Sequence, residues 1–144
     1  MTEGSILVTG GAGFIGSHYV RSAVTKGCEV VTLDALTYAG SLSNLDTVKD
    51  VSNHRTITGS IADRELVAQL LAELRPTTIV NFAAESHVDR SIDGPDAFID
   101  SNIVGVFVLL EACREHLKCC ENADRFRFLH ISTDEVYGSI EQGA

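Results

Sequence analysis

Positive charge and long apolar runs are both scarce in this sequence. Its 144 residues carry 11 Lys and Arg against 20 Asp and Glu, for a formal net charge of −9. Binding to nucleic acid or to an anionic membrane needs a basic surface, so we expect neither partner. The longest apolar run, Ile103 to Leu110, is too short to cross a bilayer. Because the first strand is expected to include Ile6, it leaves no room for a signal peptide, and we expect a cytoplasmic protein.

The cysteines show no C-x-x-C pair and no metal-like spacing with histidine, so we expect no bound metal. The adjacent Cys119 and Cys120 could form a redox pair, but we favour small thiol side chains in a reducing compartment. No repeat, low-complexity segment or Gly/Ser linker divides the chain. With 44% hydrophobic and 22% charged residues, it has the length and composition of one globular domain.

The segment from Ile6 to Gly16 reads I-L-V-T-G-G-A-G-F-I-G and predicts a strand, a glycine turn and a helix in that order. The glycines allow the backbone to turn sharply and to approach a pyrophosphate, which the free N–H groups of the helix start can bind. Asp34 ends the next apolar run, where a carboxylate can accept hydrogen bonds from ribose hydroxyls. A glycine turn without a ligand is the alternative, but the ordered strand, glycines, helix and acid favour a dinucleotide site.

Apolar strand-like runs alternate with helical patterns along the chain, which predicts right-handed βαβ units and a parallel sheet. We expect a doubly wound α/β Rossmann fold with strand order 3-2-1-4-5, in which the ligand lies across the carboxyl ends of the strands. The expected strands lie near 5–9, 29–33, 55–58, 77–82 and 126–131, and the expected helices near 14–26, 43–50, 63–74 and 96–118.

Polar residues cluster after the fourth and fifth predicted strands. Residues 83–91 read A-A-E-S-H-V-D-R-S, and residues 131–138 read I-S-T-D-E-V-Y-G. Two adjacent acids, Asp134 and Glu135, beside hydroxyl groups at the edge of a nucleotide site suggest proton transfer. A charged surface turn is the alternative for this pair.

Together, G-G-A-G-F-I-G-S, L-D-A-L-T-Y-A-G, A-A-E-S-H-V-D-R-S-I and S-T-D-E-V-Y-G resemble the amino-terminal part of the dTDP-glucose 4,6-dehydratase family, within the extended short-chain dehydrogenases/reductases. The resemblance runs from Ser5 to Gly138, and S-T-D-E-V-Y-G is its specific part because epimerase relatives lack the paired acids. It implies a hydro-lyase that uses NAD. Hydride passes from C4 of glucose to NAD, water is lost across C5 and C6, and the hydride returns to C6.

The resemblance also implies roles for individual residues. Asp134 would be the general acid that protonates the departing C6 hydroxyl, and Glu135 the general base at C5. Ser86 and Thr133 would bind the sugar nucleotide, and Thr133 would also belong to the catalytic set. The implied cofactor-binding residues are Gly10, Gly13, Phe14, Ile15, Gly16, Asp34, Ala35, Leu36, Thr37, Ser60, Ile61, Phe82, Ala83, Ala84, Glu85 and Ser101.

The sequence departs from the family pattern in several places. Ser60 occupies the position of an acid that bonds the adenine amino group, and Ala35 and Ser41 replace a Lys and an Asn. The family also uses a Tyr-x-x-x-Lys pair for oxidation at C4, and no Tyr in this sequence is followed by Lys at that spacing. We therefore expect residues 1–144 to be the NAD-binding Rossmann domain of a longer enzyme that continues into a substrate domain, and to be inactive alone.

Two alternatives stay open, a nucleotide-sugar epimerase and a non-catalytic NAD-binding module. Asp34, with no Arg at 35–37, favours NAD over NADP. The expected substrate is a nucleotide sugar, which is dTDP-glucose in the family. The helix from Asp96 carries more apolar surface than one contact with a sheet uses, and the resemblance implies that it pairs in a homodimer. Its apolar residues are Phe98, Val106, Leu109, Leu110, Cys113 and Leu117.

Overall fold

The computed structural model describes residues 4–87, 92, 94–120 and 123–138. Five parallel strands form one sheet in the order β3-β2-β1-β4-β5, which confirms the predicted order and the doubly wound α/β fold. Each strand lies where the sequence predicts it. The strands are β1 (Ser5–Thr9), β2 (Glu29–Asp34), β3 (His54–Thr58), β4 (Thr78–Asn81) and β5 (Arg127–His130).

Helices cover both faces of the sheet, which explains why the central strands are apolar throughout. On one face, α1 (Phe14–Thr25) packs with Ile6 and Val8 of β1. On the other face, Leu7 packs with α2 (Arg64–Leu74) and the last helix, Val106–Lys118. Because successive side chains of a strand point to opposite faces, β1 contributes to both cores.

The predicted helix over 96–118 is interrupted. A single turn, α3 (Asp96–Phe98), is followed by a wide π-helical segment, Ile99–Gly105, and then by α4 (Val106–Lys118). A Cβ atom on Gly105 would lie 2.5 Å from Cγ1 of Ile61, so only glycine lets the end of the wide segment approach Ile61. Such π-helical turns are frequent at functional sites.

The predicted helix over 43–50 is wrong. The chain forms a short 3-10 helix, Leu42–Leu45, and continues in turns to residue 50. Leu45 and Val48 are buried against the core on the α1 side, whereas the residues between them are exposed. Two buried residues three positions apart satisfy a tight turn as well as a helix, and the sequence pattern did not separate the two.

Among the residues that the structure describes, no helix has the length and apolar character needed to cross a membrane.

Candidate functional site

The glycine turn lies at the carboxyl end of β1, between the ends of β2 and β4. Gly10 has φ +67°, and a Cβ atom there would lie 2.5 Å from the backbone nitrogen of Ala83. Its N–H donates to the Leu33 carbonyl at 2.9 Å, so the hydrogen bonding between β1 and β2 extends one residue into the turn. A side chain on Gly16 would collide with the Gly10 carbonyl. These positions need glycine because backbone approaches backbone on both sides.

Asp34 is almost fully buried at the end of β2, where both carboxylate oxygens accept backbone hydrogen bonds. Oδ2 accepts from the Ala12 N–H and Oδ1 from the Leu36 N–H, each at 2.8 Å. Leu36 reaches this position with a left-handed φ of +52°. Each carboxylate oxygen offers two acceptor sites, so the Asp34 side chain can still receive two hydroxyl donors. The structure therefore holds a rigid acceptor for a diol beside the glycine turn.

A groove of about 310 Å³ runs along this edge of the sheet. Residues from the glycine turn, from the loops after β2, β3 and β4, and from the α3 region line it. Most of the predicted cofactor residues therefore come together, namely Gly10, Gly13, Asp34, Ala35, Thr37, Ser60, Ile61, Phe82, Ala83, Ala84, Glu85 and Ser101. The sequence prediction did not include six further lining residues, Leu33, Ala39, Gly40, Gly59, Ala97 and Asp100.

Three predicted cofactor residues point their side chains elsewhere. Phe14 and Ile15, in the first turn of α1, are exposed to solvent, and the Phe14 ring packs edge-on against His18. Leu36 packs its side chain against the core on the α1 side. None of the three is among the residues that line the groove.

Asn102 was not predicted and joins two parts of the groove wall. Its Oδ1 accepts from the Glu85 N–H and its Nδ2 donates to the Glu85 carbonyl, both at 2.8 Å. The residue lies inside the π-helical segment, next to the lining residue Ser101. An asparagine inside a predicted helix, three residues before Gly105, was the signal available in the sequence, since Asn is a poor residue for a helix interior.

The carboxyl ends of β1, β4 and β5 are joined by hydrogen-bonded polar side chains. The Thr9 hydroxyl donates to Oδ1 of Asn81, which also accepts from the Ala83 N–H at 3.2 Å. Nδ2 of Asn81 donates to Nδ1 of His130 at 2.9 Å. Thr9 and Asn81 are fully buried, so these bonds position the strand ends on which the loops of the site depend.

The acidic segment follows β5 at the same edge. A short 3-10 helix, Asp134–Tyr137, carries it, and the Thr133 hydroxyl donates to Oδ1 of Asp134 at 3.3 Å. Thr133, Asp134 and Ser86 are exposed and do not line the groove. The Glu135 side chain lies outside the described residues. Because β4 and β5 are adjacent and parallel, the loops carrying Ser86 and Asp134 leave the sheet side by side.

A larger groove of about 770 Å³ lies between α2 and α4. Cations and anions are mixed in its lining, with Arg64 and Arg75 on one side and Glu111 and Glu115 on the other. None of the described residues that line it belongs to the glycine turn or to the carboxyl end of a strand. We therefore assign the functional site to the smaller groove, where backbone donors and a buried carboxylate converge.

The fold and this groove define a class: a Rossmann-type α/β domain with the glycine turn and strand-end acid that are typical of dinucleotide-binding proteins. Residues 7–144 match the family model described as GDP-mannose 4,6 dehydratase. The chain belongs to this family.

Individual relatives agree with that assignment. A dTDP-glucose 4,6-dehydratase of Xanthomonas campestris pv. campestris (strain B100) is 55% identical over 136 residues, which cover 93% of this chain and 39% of the relative. DesIV, a dTDP-glucose 4,6-dehydratase from Streptomyces venezuelae, solved with NAD and TYD bound, superimposes with a TM-score of 0.83 at 44% identity, over 97% of this chain and 42% of that one.

An epimerase is also similar. The UDP-glucose 4-epimerase of Thermotoga maritima, solved with UDP-glucose, superimposes with a TM-score of 0.71 at 36% identity, over 78% of this chain and 34% of that one. In all three comparisons this chain spans less than half of the length of the relative.

Proposed function

We propose that the groove binds NAD and that residues 1–144 form the NAD-binding domain of a dTDP-glucose 4,6-dehydratase. The observation that carries the proposal is the buried Asp34 carboxylate, held by two backbone N–H groups beside a glycine turn. A ribose diol fits this acceptor, and the start of α1 offers N–H groups to a diphosphate. The similarity to DesIV, whose structure contains NAD, supports the same ligand.

The groove residues suit the parts of this cofactor. Gly10 and Gly13 leave room for a diphosphate. Ser60 and Ile61 form the wall at the end of the groove that is far from β4, and an adenine would lie against this wall. Ser60 uses its hydroxyl to accept the Ala62 N–H at 3.1 Å. NAD, when bound, supplies the hydride acceptor and later the hydride donor for the sugar. The chain supplies the binding, the orientation and the proton transfers.

We assign those proton transfers to the segment after β5. Asp134 donates a proton to the departing C6 hydroxyl, and Glu135 removes the proton at C5. Thr133 binds the sugar and, through its hydrogen bond at 3.3 Å, orients the Asp134 carboxyl group. Ser86, on the neighbouring loop after β4, is the second sugar contact that we propose. These roles rest on the family resemblance and on the placement of both loops at one edge of the sheet.

The dehydratase is favoured over the epimerase because the chain is 55% identical to a dehydratase and 36% identical to the structurally similar epimerase. The adjacent acids Asp134 and Glu135 also have no role in epimerisation, which needs no loss of water. A non-catalytic NAD-binding module would have no use for these acids either. The cytoplasmic location expected from the sequence stays a prediction.

We further propose that the whole protein is a homodimer. The exposed side of the last helical region carries Ile99, Ile103, Phe107 and Leu110, which recur every three or four residues and therefore form one stripe. The stripe differs from the residues expected from the sequence, because Leu109 and Cys113 are buried against the sheet. A second copy of the same stripe is the partner that we propose, in keeping with the homodimer implied by the family resemblance.

A chimera tests the catalytic proposal. Residues 1–138 replace the matching part of DesIV, and the product formed from dTDP-glucose is followed by NMR. We expect a 4-keto-6-deoxy product, and we expect the Glu135→Gln chimera to lose exchange of the C5 proton with solvent while it still oxidises C4. NAD content, measured on each chimera, establishes that the protein is folded. An NAD-loaded chimera that gives an epimerised sugar, or no reaction, would contradict the proposal.

A further inference from the structure

The residue Ala12, in the middle of the glycine turn, has both of its backbone polar groups occupied. Its N–H donates to Oδ2 of Asp34 at 2.8 Å. Its carbonyl accepts from the backbone N–H of Ser41 at 3.0 Å and from Nδ2 of Asn44 at 2.8 Å. Ala12 is fully buried, so solvent does not contact its polar groups. One hydrogen bond to the end of β2 and two from the chain that follows it therefore determine how the turn is oriented.

The short 3-10 helix Leu42–Leu45 presents the Asn44 amide to the turn. Leu45, the next residue, is buried in the core on the α1 side and fixes the position of this helix. Asn44 itself is half-buried. In a regular α-helix over 43–50, successive residues would be rotated by a different angle, and the Asn44 side chain would point in a different direction. The hydrogen bond from Asn44 to Ala12 therefore depends on the 3-10 turn.

The orientation of the turn matters for the start of α1. The Gly13 N–H is used within the turn, on the Gly10 carbonyl at 3.2 Å, and the first intrahelical bond runs from the Ser17 N–H to the Gly13 carbonyl at 3.0 Å. The N–H groups of Phe14, Ile15 and Gly16 in between have no intrahelical acceptor, which is the usual state of a helix start. A small rotation of the Ala12–Gly13 peptides would aim these donors away from an anion.

We propose that Asn44 is a positioning residue for the diphosphate of the cofactor. It touches no ligand, and it acts by holding the Ala12 carbonyl so that the N–H groups at the start of α1 point into the groove. The inference rests on the proposed binding of NAD. Its specific consequence is that Asn44 affects the diphosphate part of the ligand much more than the adenosine part near Asp34 and Ser60, because the Leu36 N–H also holds the Asp34 carboxylate.

The test compares Asn44→Ala with Asn53→Ala. Asn53 is a matched control because its half-buried amide also donates to backbone carbonyls, those of Val24 at 3.1 Å and Cys28 at 2.7 Å, away from the groove. Binding of NAD is measured by calorimetry and binding of adenosine by ligand-detected NMR, with urea unfolding of each variant. We expect Asn44→Ala to weaken the binding of NAD about tenfold, which is the effect expected from the loss of one orienting hydrogen bond. The affinity for adenosine should change less than twofold.

The outcomes test the role of Asn44 separately from the proposed binding of NAD. Asn53→Ala should lower stability at least as much as Asn44→Ala and leave the ratio of NAD to adenosine affinity unchanged. If Asn44→Ala weakens both ligands equally, or if Asn53→Ala changes the ratio as much, Asn44 is merely structural and the inference is overturned. If the unaltered chain binds adenosine but not NAD, or binds neither, the proposed function itself fails, and that result is visible before any variant is compared.

Discussion

Asp34 is the residue that should decide which dinucleotide binds. Its carboxylate is held by the N–H groups of Ala12 and Leu36, so it cannot swing away from a 2′-phosphate, and the residues at 35–37 include no Arg to bind one. We expect NAD to bind in preference to NADP. Asp34→Asn keeps the shape of the side chain and removes its charge. It should weaken the binding of NAD by about tenfold to a hundredfold and reduce the ratio of NAD affinity to NADP affinity.

Titration of both cofactors by fluorescence or calorimetry measures the ratio of the two affinities. Asp50→Asn removes an exposed acid away from the groove and should leave the ratio of the two affinities unchanged. Tighter binding of NADP than of NAD by the unaltered chain would contradict the role given to Asp34.

His54 is a second residue for which we predict a measurable effect, here on the pH dependence of stability. Its ring lies between β2 and the turn before β3, where Nε2 contacts the Thr32 hydroxyl at 3.0 Å and Nδ1 contacts the Val48 carbonyl at 3.1 Å. The neutral ring satisfies both contacts, because Nδ1–H donates to the carbonyl and Nε2 accepts from the hydroxyl. Burial lowers the pKa of His54 from its ordinary value of 6.5.

The unfolded chain therefore binds a proton at His54 more readily than the folded protein does. The stability due to this residue is fully present above pH 6.5 and is lost as the pH falls from 6.5 towards the lowered pKa. Urea unfolding between pH 5 and pH 8 should show this loss, and His54→Gln should reduce it. His18→Gln, which removes an exposed ring, is the control. An unchanged pH dependence in His54→Gln would refute the assignment.

Among the elements, the contact between the glycine turn, β2 and α1 leaves no spare volume. A Cβ atom on Gly11 would lie 2.7 Å from Cγ2 of Thr32 in β2 and 3.0 Å from Cγ2 of Val20 in α1. Gly11→Ala should therefore lower the free energy of unfolding by about 1–3 kcal/mol, the range of an overpacked core.

The double variant Gly11→Ala with Thr32→Ser checks the cause of this effect. Serine lacks Cγ2 and keeps the hydroxyl that contacts His54, so it should recover part of the loss caused by Gly11→Ala. Urea unfolding of the single and double variants gives the coupling energy directly. Additive effects of the two substitutions would mean that the clash with Thr32 is not the cause.

At the scale of the whole molecule, the stripe of Ile99, Ile103, Phe107 and Leu110 should govern self-association. Arg64 of α2 stacks over the Phe107 ring at 5.1 Å and covers only part of it, since Phe107 is 50% exposed. We expect a concentration-dependent dimer in analytical ultracentrifugation and a shift towards monomer in Ile103→Arg. Val51→Arg, which changes an exposed apolar residue in the loop before β3, should associate like the unaltered chain. A strict monomer at millimolar concentration would count against the homodimer.

The order of elements and the location of the site could be predicted from sequence because both follow from local patterns. Apolar runs such as Ile6 to Val8 predict buried strands, and glycines before a helix predict a turn at the strand end. Asp34 was found by its place at the end of β2. In a parallel sheet the carboxyl ends of all strands share one edge, so correct strands placed the groove as well.

The polar contacts across the site were decided only by the tertiary structure. Asn102 bonds to Glu85, Asn44 to Ala12 and Asn81 to His130, and each pair joins separate segments of the chain. Such pairs have no periodic signature, because a side-chain amide can meet any backbone group that packing brings near. The π-helical turn before α4 and the 3-10 turn at Leu42–Leu45 arise for the same reason. Tertiary contacts at Ile61 and Ala12 favour them over the regular helices that the local sequence predicts.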